Sequence, residues 1–303
     1  MNGRNFRELL ENQWSRGNFV CVGLDSDTTK FSDEIIQRSR ALLKEENVEG
    51  WKIQFAFNAL IVQATRDLVC AYKPNSAFYE ASGAGGMQAL YCTVKYINEV
   101  APDLPVILDA KRADIGSTNE GYAAMAFDYL GVDAITVHPY LGAEALQPIL
   151  DRVDKGIFVL CRTSNPGAKE FQDMPVVTDW APDGTMPFYQ YLAFKVTKDW
   201  DQHGNCGVVV GATYPDELHK VRQTVGDMPI LIPGIGFQQK DVPLEKQVEQ
   251  TAHAGKDSRG AGMIINSSRG IIFASKGDDF AEAARRETKK LRDLINEFRW
   301  EEK

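Results

Sequence analysis

The chain has 303 residues, of which 44% are hydrophobic and 25% are charged, and its formal net charge is −8. This acidic balance argues against broad nucleic-acid binding, which needs a basic face. No apolar run approaches the roughly 20 residues of a membrane helix, and the polar start of the chain lacks the apolar region of a signal peptide. We therefore expect neither a nucleic acid nor a membrane as partner. An anionic ligand would have to be captured by local positive charge.

The cysteines and histidines show no metal-binding pattern. No two cysteines form a Cys-x-x-Cys pair, and the four histidines are scattered along the chain. Most of the cysteines lie in apolar runs, where a reduced thiol acts as a small apolar residue. We therefore expect no metal site and a location in the reducing cytoplasm. The five cysteines are Cys21, Cys70, Cys92, Cys161 and Cys206.

Short apolar runs alternate with helix-like stretches along most of the chain. Each run is bounded by Gly, Pro, Asp or Asn, as is typical of buried parallel strands. The eight runs are residues 19–24, 68–72, 105–108, 134–137, 156–161, 207–210, 229–232 and 263–265. The helix-like stretches between them include residues 82–100, 119–130, 143–150, 186–202 and 216–224.

Eight strand–helix units in about 250 residues predict an α/β fold, a single (β/α)₈ TIM barrel. The alternative is an open doubly wound sheet, but no Gly-x-Gly-x-x-Gly motif follows the first strand. We expect one domain over residues 1–303, with a short N-terminal helix and a charged C-terminal helix at residues 278–303. Residues 30–66 exceed one barrel connection and predict two further helices near the N-terminus.

The third predicted strand ends in an Asp-x-Lys-x-x-Asp motif formed by Asp109, Lys111 and Asp114. Because side chains alternate along a strand, Asp109 and Lys111 are predicted to point to the same face. Charged groups at the end of an apolar strand are costly unless they face a polar site. The motif therefore predicts either a catalytic site or a salt-bridge cluster at the barrel rim.

Two further charges follow the first and second strands, at Asp25 and Lys73. In a TIM barrel the carboxyl ends of the strands meet at one rim, where the active site lies. The charges that alternate in sign at that rim are Asp25, Lys73, Asp109 and Lys111. Each of the four would carry an uncompensated desolvation cost if it stood there by chance. Their convergence favours the catalytic interpretation.

The last two strand ends predict a phosphate site. Gly234 and Gly236 allow close approach of the backbone, and Arg269 offers a fork of donors suited to phosphate oxygens. After the fifth strand, residues 163–185 contain no clear helix or strand. So long a loop predicts a lid that closes over substrate, or else a mobile surface insertion.

Together these motifs resemble those of the orotidine 5′-phosphate decarboxylase family. Residues 108–118 look like the family signature, and residues 70–80 resemble the second-strand motif of its longer-chain branch. Residues 163–168, 210–213, 233–236 and 266–270 match in the same order. The resemblance implies decarboxylation of orotidine 5′-monophosphate (OMP) to UMP and CO₂, the last step of de novo pyrimidine nucleotide synthesis. It implies neither a metal nor an organic cofactor.

The resemblance also implies a role for each charged residue at the rim. Lys111 would stabilise the carbanion at C6 and then protonate it, as a preorganised ammonium can. Asp109 would lie beside the substrate carboxylate. Asp25 and Lys73 would bind the ribose hydroxyls, and Lys73 would also join the charged network.

Other roles concern the neighbouring subunit and the base. The resemblance implies a homodimer in which Asp114, Ile115 and Thr118 reach the active site of the partner. Ser164 would contact the pyrimidine.

Gly234, Gln238 and Arg269 would hold the phosphate. The loop departs from the family pattern Gly-Ala-Gln-Gly-Gly, because bulky Phe237 precedes Gln238 and Lys240 ends the segment.

Two alternatives remain at this stage. One is a Mg²⁺-dependent sugar-phosphate decarboxylase or aldolase of the same superfamily, which would need acidic metal ligands at other strand ends, and Lys73 at the end of the second strand argues against it. The other is a non-catalytic nucleotide-binding barrel, which would have no need of both Asp109 and Lys111.

Overall fold

A barrel of eight parallel strands forms the centre of the computed structural model, which describes residues 4–44, 48–181, 183–236 and 241–300. The barrel strands are β1 (Val20–Leu24), β2 (Val69–Pro74), β3 (Ile107–Arg112), β4 (Ala134–Val137), β5 (Gly156–Arg162), β8 (Cys206–Val210), β9 (Ile230–Pro233) and β10 (Met263–Ser267). Strands β6 (Pro175–Val177) and β7 (Thr185–Pro187) form a separate antiparallel hairpin.

The hydrogen-bonded order is β2-β1-β10-β9-β8-β5-β4-β3. Two isolated parallel bridges, Tyr72 with Val106 and Asn75 with Asp109, join β2 to β3 and close the ring. The predicted (β/α)₈ TIM barrel is thereby confirmed. The strands form where the sequence has short β-branched runs because both faces of a barrel strand are buried. All residues of β1, β2, β4, β8 and β10 are buried.

Helices surround the barrel. They are α1 (Phe6–Ser15), α2 (Asp33–Leu43), α3 (Gly50–Thr65), α4 (Ala77–Glu80), α5 (Gly83–Val100), α6 (Gly116–Ala123), α7 (Gly142–Leu150), α8 (Lys169–Gln172), α9 (Phe188–Lys195), α10 (Pro215–Val225), α11 (Leu244–Gly255), α12 (Arg269–Ile272) and α13 (Phe280–Phe298). π-Helical segments, Ala124–Leu130 and Val196–Trp200, continue α6 and α9. None of the helices in the described ranges is both long and apolar enough to span a bilayer.

Helix α1 covers the amino-terminal end of the barrel. The ring of Phe6 meets Phe158 edge to face, with centroids 5.6 Å apart, and the indole of Trp14 donates to the carbonyl oxygen of Met263 at 2.9 Å. Gly156 begins β5 directly beneath Phe6, where a Cβ atom would come within 2.5 Å of the ring. With this end filled by packed side chains, the carboxyl ends of the strands are left for a site.

The structure corrects the prediction for residues 163–185, which are not devoid of secondary structure. They contain a 3₁₀ turn (Pro166–Ala168), the short helix α8, strand β6 and the start of β7. Three-residue strands are too short for a periodic pattern to reveal them. Helix α11, which precedes β10, also went unpredicted.

Candidate active site

The pairing of β3 with β4 is irregular where the charged motif lies. Leu108 pairs with Ile135 and Arg112 pairs with Val137, so β3 advances four residues while β4 advances two. Lys111 has a φ of 48°, in the left-handed region that long side chains rarely adopt. The side chains of Asp109 and Lys111 lie on the same side, as predicted, since they form an ion pair. The reason is a bulge in β3 and not the regular alternation of side chains along a strand. Bulges commonly redirect side chains next to active sites.

A carboxylate held between two ammonium groups forms the centre of the site. Lys73 Nζ lies 2.7 Å from Asp109 Oδ2, and Lys111 Nζ lies 2.6 Å from Asp109 Oδ1. The Thr136 hydroxyl also donates to Asp109 Oδ1, at 3.0 Å. The three charges differ in exposure: the side chains of Lys73 and Asp109 are 3% and 12% exposed, whereas that of Lys111 is 49% exposed.

These contacts keep the central pair ionised. Burial raises the pKa of Asp109, but the ammonium groups of Lys73 and Lys111 outweigh it and hold that pKa well below its usual range. Burial lowers the pKa of Lys73, but the carboxylates of Asp109 and Asp25 outweigh it and hold that pKa above its ordinary value. The site therefore presents fixed charges of both signs at neutral pH.

A pocket opens beside this cluster, between the ends of β1, β2, β3, β9 and β10. Asp25, Lys73, Asp109, Gly234 and Arg269 are among the residues that line it. Asp25 Oδ1 is buried and has no hydrogen-bond partner among the described residues. A buried carboxylate oxygen without a donor is costly, so this atom is suited to accept a hydrogen bond from a ligand.

The β1 and β10 ends lie close together because position 23 is glycine. A Cβ atom at Gly23 would come within 1.9 Å of Ser268 Oγ. Ser268 lines the pocket immediately before Arg269, which begins α12 and is exposed. Gly23 thus lets the segment that carries Arg269 pack against the strand that carries Asp25.

The loop after β9 supplies the opposite wall of the pocket. Gly234 and Gly236 have φ values of 110° and 84°, which only glycine adopts readily. The Gly236 N–H donates to Gln247 Oε1 at 3.0 Å, so α11 anchors this loop. Gln238, predicted to hold the phosphate, lies outside the described residues, as do Phe237 and Lys240.

Ser164 follows β5 but does not line this pocket. It packs against Gly211 at the end of β8, where a Cβ atom would approach Ser164 Cβ to 2.6 Å. Just before it, the fully buried Arg162 pairs with Asp173 across the base of the predicted lid, with Arg162 Nε and Asp173 Oδ1 3.0 Å apart. The guanidinium also stacks on Tyr214, at 4.1 Å from the ring centroid.

Asp114, Ile115 and Thr118 do not line the pocket beside the cluster. Asp114 forms neither a hydrogen bond nor an ion pair with Asp109 or Lys111 in the described part of the chain. Its carboxylate accepts from the N–H of Ile115 at 2.7 Å. The buried Asn119 fixes this turn by donating to the carbonyl oxygens of Asp114 and Ala145. The side chain of Ile115 is 64% exposed and Thr118 is also exposed.

Thr136 is a site residue that the sequence analysis missed. It lies inside the apolar run 134–137 and is almost fully buried. A hydroxyl in an otherwise apolar strand requires a partner, and this was the signal available. Asn266 and Ser268, in the segment after β10, also line the pocket without having been singled out.

Residues 18–286 match the profile of the orotidine 5′-phosphate decarboxylase / HUMPS family. The chain belongs to this family. It is 46% identical over 292 residues to an orotidine 5′-phosphate decarboxylase of Cellvibrio japonicus, covering 96% of this chain and 98% of that protein. A Ralstonia pickettii protein of the same name is 45% identical, with 97% of this chain and 99% of that protein covered.

Solved structures of relatives have the same architecture. The OMP decarboxylase of Leishmania donovani superposes with a TM-score of 0.78 at 32% identity, covering 98% of this chain and 100% of that one. The family's strand-end motifs thus occur here on the barrel that members of the family share. No group of three or more His, Cys, Asp or Glu side chains suited to a metal ion occurs within the described ranges.

Proposed function

We propose that this protein, acting as one barrel domain, decarboxylates orotidine 5′-monophosphate to UMP and CO₂ without a metal or an organic cofactor. The observation that carries the proposal is the Asp109 carboxylate held between Lys73 and Lys111 at the strand ends of a family member. In this proposal Lys111 and Asp109 act on the reacting carbon, and the rest of the rim binds the nucleotide.

The reaction needs a fixed positive charge and a proton at one place. Departure of CO₂ breaks the bond to C6 and leaves its electron pair on that carbon. The ammonium of Lys111 stabilises this pair and then transfers a proton to C6, after which solvent returns a proton to the amine. Asp109, beside the substrate carboxylate, holds the Lys111 ammonium in place through their ion pair.

The remaining groups of the pocket fit the other parts of the nucleotide. The unpartnered Oδ1 of Asp25 is suited to accept from a ribose hydroxyl, and Lys73 can donate to one. Arg269 and the backbone at Gly234 would bind the phosphate, with Gln238 from the loop beyond. Ser164 would contact the pyrimidine once the residues after β5 close over the base.

We propose a homodimer with composite active sites. Asp114, Ile115 and Thr118 do not line the pocket of their own chain, and Ile115 is exposed, so all three are available to a second subunit. Four of the five free cysteines are buried, which is compatible with action in the reducing cytoplasm.

The position of Lys73 argues against a Mg²⁺-dependent lyase of the same superfamily. Such an enzyme would need acidic ligands at strand ends of the barrel, and the ammonium at the end of β2 repels a cation instead. The retention of both Asp109 and Lys111 argues against a non-catalytic barrel, because holding an ionised Lys–Asp–Lys cluster has a desolvation cost.

An absorbance assay with OMP in excess EDTA tests the proposal. We expect the purified protein to consume OMP and to release UMP, with the Lys111→Ala variant as the matched inactive control. A reaction that requires added Mg²⁺, or turnover of a sugar phosphate in place of OMP, would support the lyase alternative. Binding of UMP without any turnover of OMP would support the non-catalytic one.

A further inference from the structure

Thr136 is the single residue of β4 that faces the bulge of β3. Between the pairs Leu108–Ile135 and Arg112–Val137, three residues of β3 stand opposite Thr136 alone. Two of the three are Asp109 and Lys111. A hydroxyl therefore lies in the gap that the bulge opens in the backbone ladder, where it is almost fully buried.

The two hydrogen bonds of this hydroxyl have defined directions. The backbone N–H of Lys111 can only donate, so Thr136 Oγ1 accepts from it, at 2.9 Å. The ionised Asp109 carboxylate can only accept, so the hydroxyl donates to its Oδ1, at 3.0 Å. One side chain thus bonds to both members of the reactive pair.

These contacts complete a ring that holds Lys111 at both ends. The backbone N–H of Lys111 binds Thr136, the hydroxyl of Thr136 binds Asp109, and Asp109 Oδ1 binds Lys111 Nζ at 2.6 Å. The Lys111 backbone is in the left-handed region, with φ at 48°, which persists only where the surroundings hold it. The ring supplies that constraint.

We propose that Thr136 is a positioning residue for the decarboxylation, acting through Lys111 and Asp109 and not by touching the substrate. The inference rests on the proposed function. Without the hydroxyl, Lys111 keeps its charge, but its backbone loses the bond that holds it in the strained conformation. Misplacement of a catalytic group by about 1 Å can reduce the rate 10²-fold. The loss should fall on kcat, because the hydrogen bonds of this hydroxyl within the described residues go to Lys111 and Asp109 and not to the groups assigned to the ribose and the phosphate.

Three variants test the inference. Thr136→Val removes the hydroxyl and keeps the shape of the side chain, whereas Thr136→Ser keeps the hydroxyl. Thr288→Val is the matched control. The Thr288 hydroxyl is equally buried and donates to the Ala284 carbonyl oxygen at 2.7 Å, within α13. For Thr136→Val we expect kcat to fall about 10- to 100-fold with little change in KM, and by the same factor on orotidine without phosphate. Thr136→Ser and Thr288→Val should stay within a few-fold of wild type.

Hydrogen exchange at the Lys111 amide gives a second readout that does not depend on activity. We expect faster exchange in Thr136→Val than in wild type or Thr136→Ser. The inference is overturned if Thr136→Val retains wild-type kcat, if Thr136→Ser is as slow as Thr136→Val, or if Lys111 exchange is unchanged. If Thr136→Val does not fold, Thr136→Ala takes its place, and equal kcat for the Ala and Ser variants overturns the inference. If the wild-type protein does not turn over OMP, the proposed function is refuted and not the role of Thr136. Hydrogen exchange at the Lys111 amide then decides whether Thr136 positions Lys111.

Discussion

Lys111 and Asp109 are joined by a 2.6 Å ion pair although they differ fourfold in exposure, at 49% and 12% of their side-chain areas. The carboxylate is largely buried at the barrel rim, while the exposed lysine is held by a contact of its ammonium with Asp109 and by a hydrogen bond of its backbone N–H to Thr136. The ammonium is therefore both oriented and open to a ligand. A charge placed in this way needs no reorganisation when a carbanion forms beside it.

Lys111→Ala should abolish decarboxylation while the fold and UMP binding survive. Because the ammonium acts on charge that develops in the transition state, its loss should lower kcat by 10²-fold or more. Lys289→Ala is the control, since Lys289 is an exposed lysine in α13 that also pairs with a carboxylate, Asp293. Steady-state kinetics and UMP titration are the measurements. A Lys111→Ala protein with more than about a tenth of wild-type kcat would refute the assigned role.

A mixture of Asp114→Ala and Lys111→Ala subunits should regain activity. Asp114 forms neither a hydrogen bond nor an ion pair with Asp109 or Lys111 of its own chain among the described residues, which is expected if it serves a second subunit. Random exchange would leave about a quarter of the sites intact. Activity after mixing should be compared with that of each variant alone, and subunit exchange verified by differently tagged chains. If exchange occurs and no activity returns, the active sites are not shared.

Arg269→Ala should impair turnover of OMP far more than turnover of orotidine, which lacks the phosphate. Arg269 and Asp25 line the same pocket. The segment that carries Arg269 packs closely against β1 because position 23 is glycine. The phosphate does not react, but its binding energy can contribute to closing the predicted lid over the substrate and to excluding water from the site. Kinetic constants for wild type and variant on both substrates are the test. Equal losses on the two substrates would show that Arg269 supports the fold and not the phosphate.

Asp173→Asn should destabilise the protein by about 2 kcal/mol. The fully buried guanidinium of Arg162 would lose its carboxylate partner, and the cost stays below that of a fully buried pair because Asp173 is 36% exposed. Asp293→Asn, which breaks the exposed pair with Lys289, should change stability by less than about 0.5 kcal/mol. Denaturant unfolding measures both. Equal effects would mean that Arg162 does not depend on Asp173.

Local pattern was enough to predict the barrel and the positions of its charges. Strands β1 to β5 and β8 to β10 are short and mostly buried, so each one contains an apolar run between turn residues. The rule that parallel strands carry their sites at the carboxyl ends then brings Asp25, Lys73, Asp109 and Lys111 to one rim. These inferences depend on residues close together in the chain, together with one general property of the fold.

The architecture, the family and the chemical types gathered at the rim could therefore all be predicted from local sequence. Tertiary structure decided how they meet: the bulge opposite Thr136, the partnership of Asp109 with Lys73 across 36 positions of chain, and the pairing of Arg162 with Asp173. Strand register and buried ion pairs depend on contacts between separate segments, whose geometry no local periodicity encodes. For the same reason the hydroxyl of Thr136 signals only that a partner is needed, and the partners themselves are identified once β3 is placed beside β4.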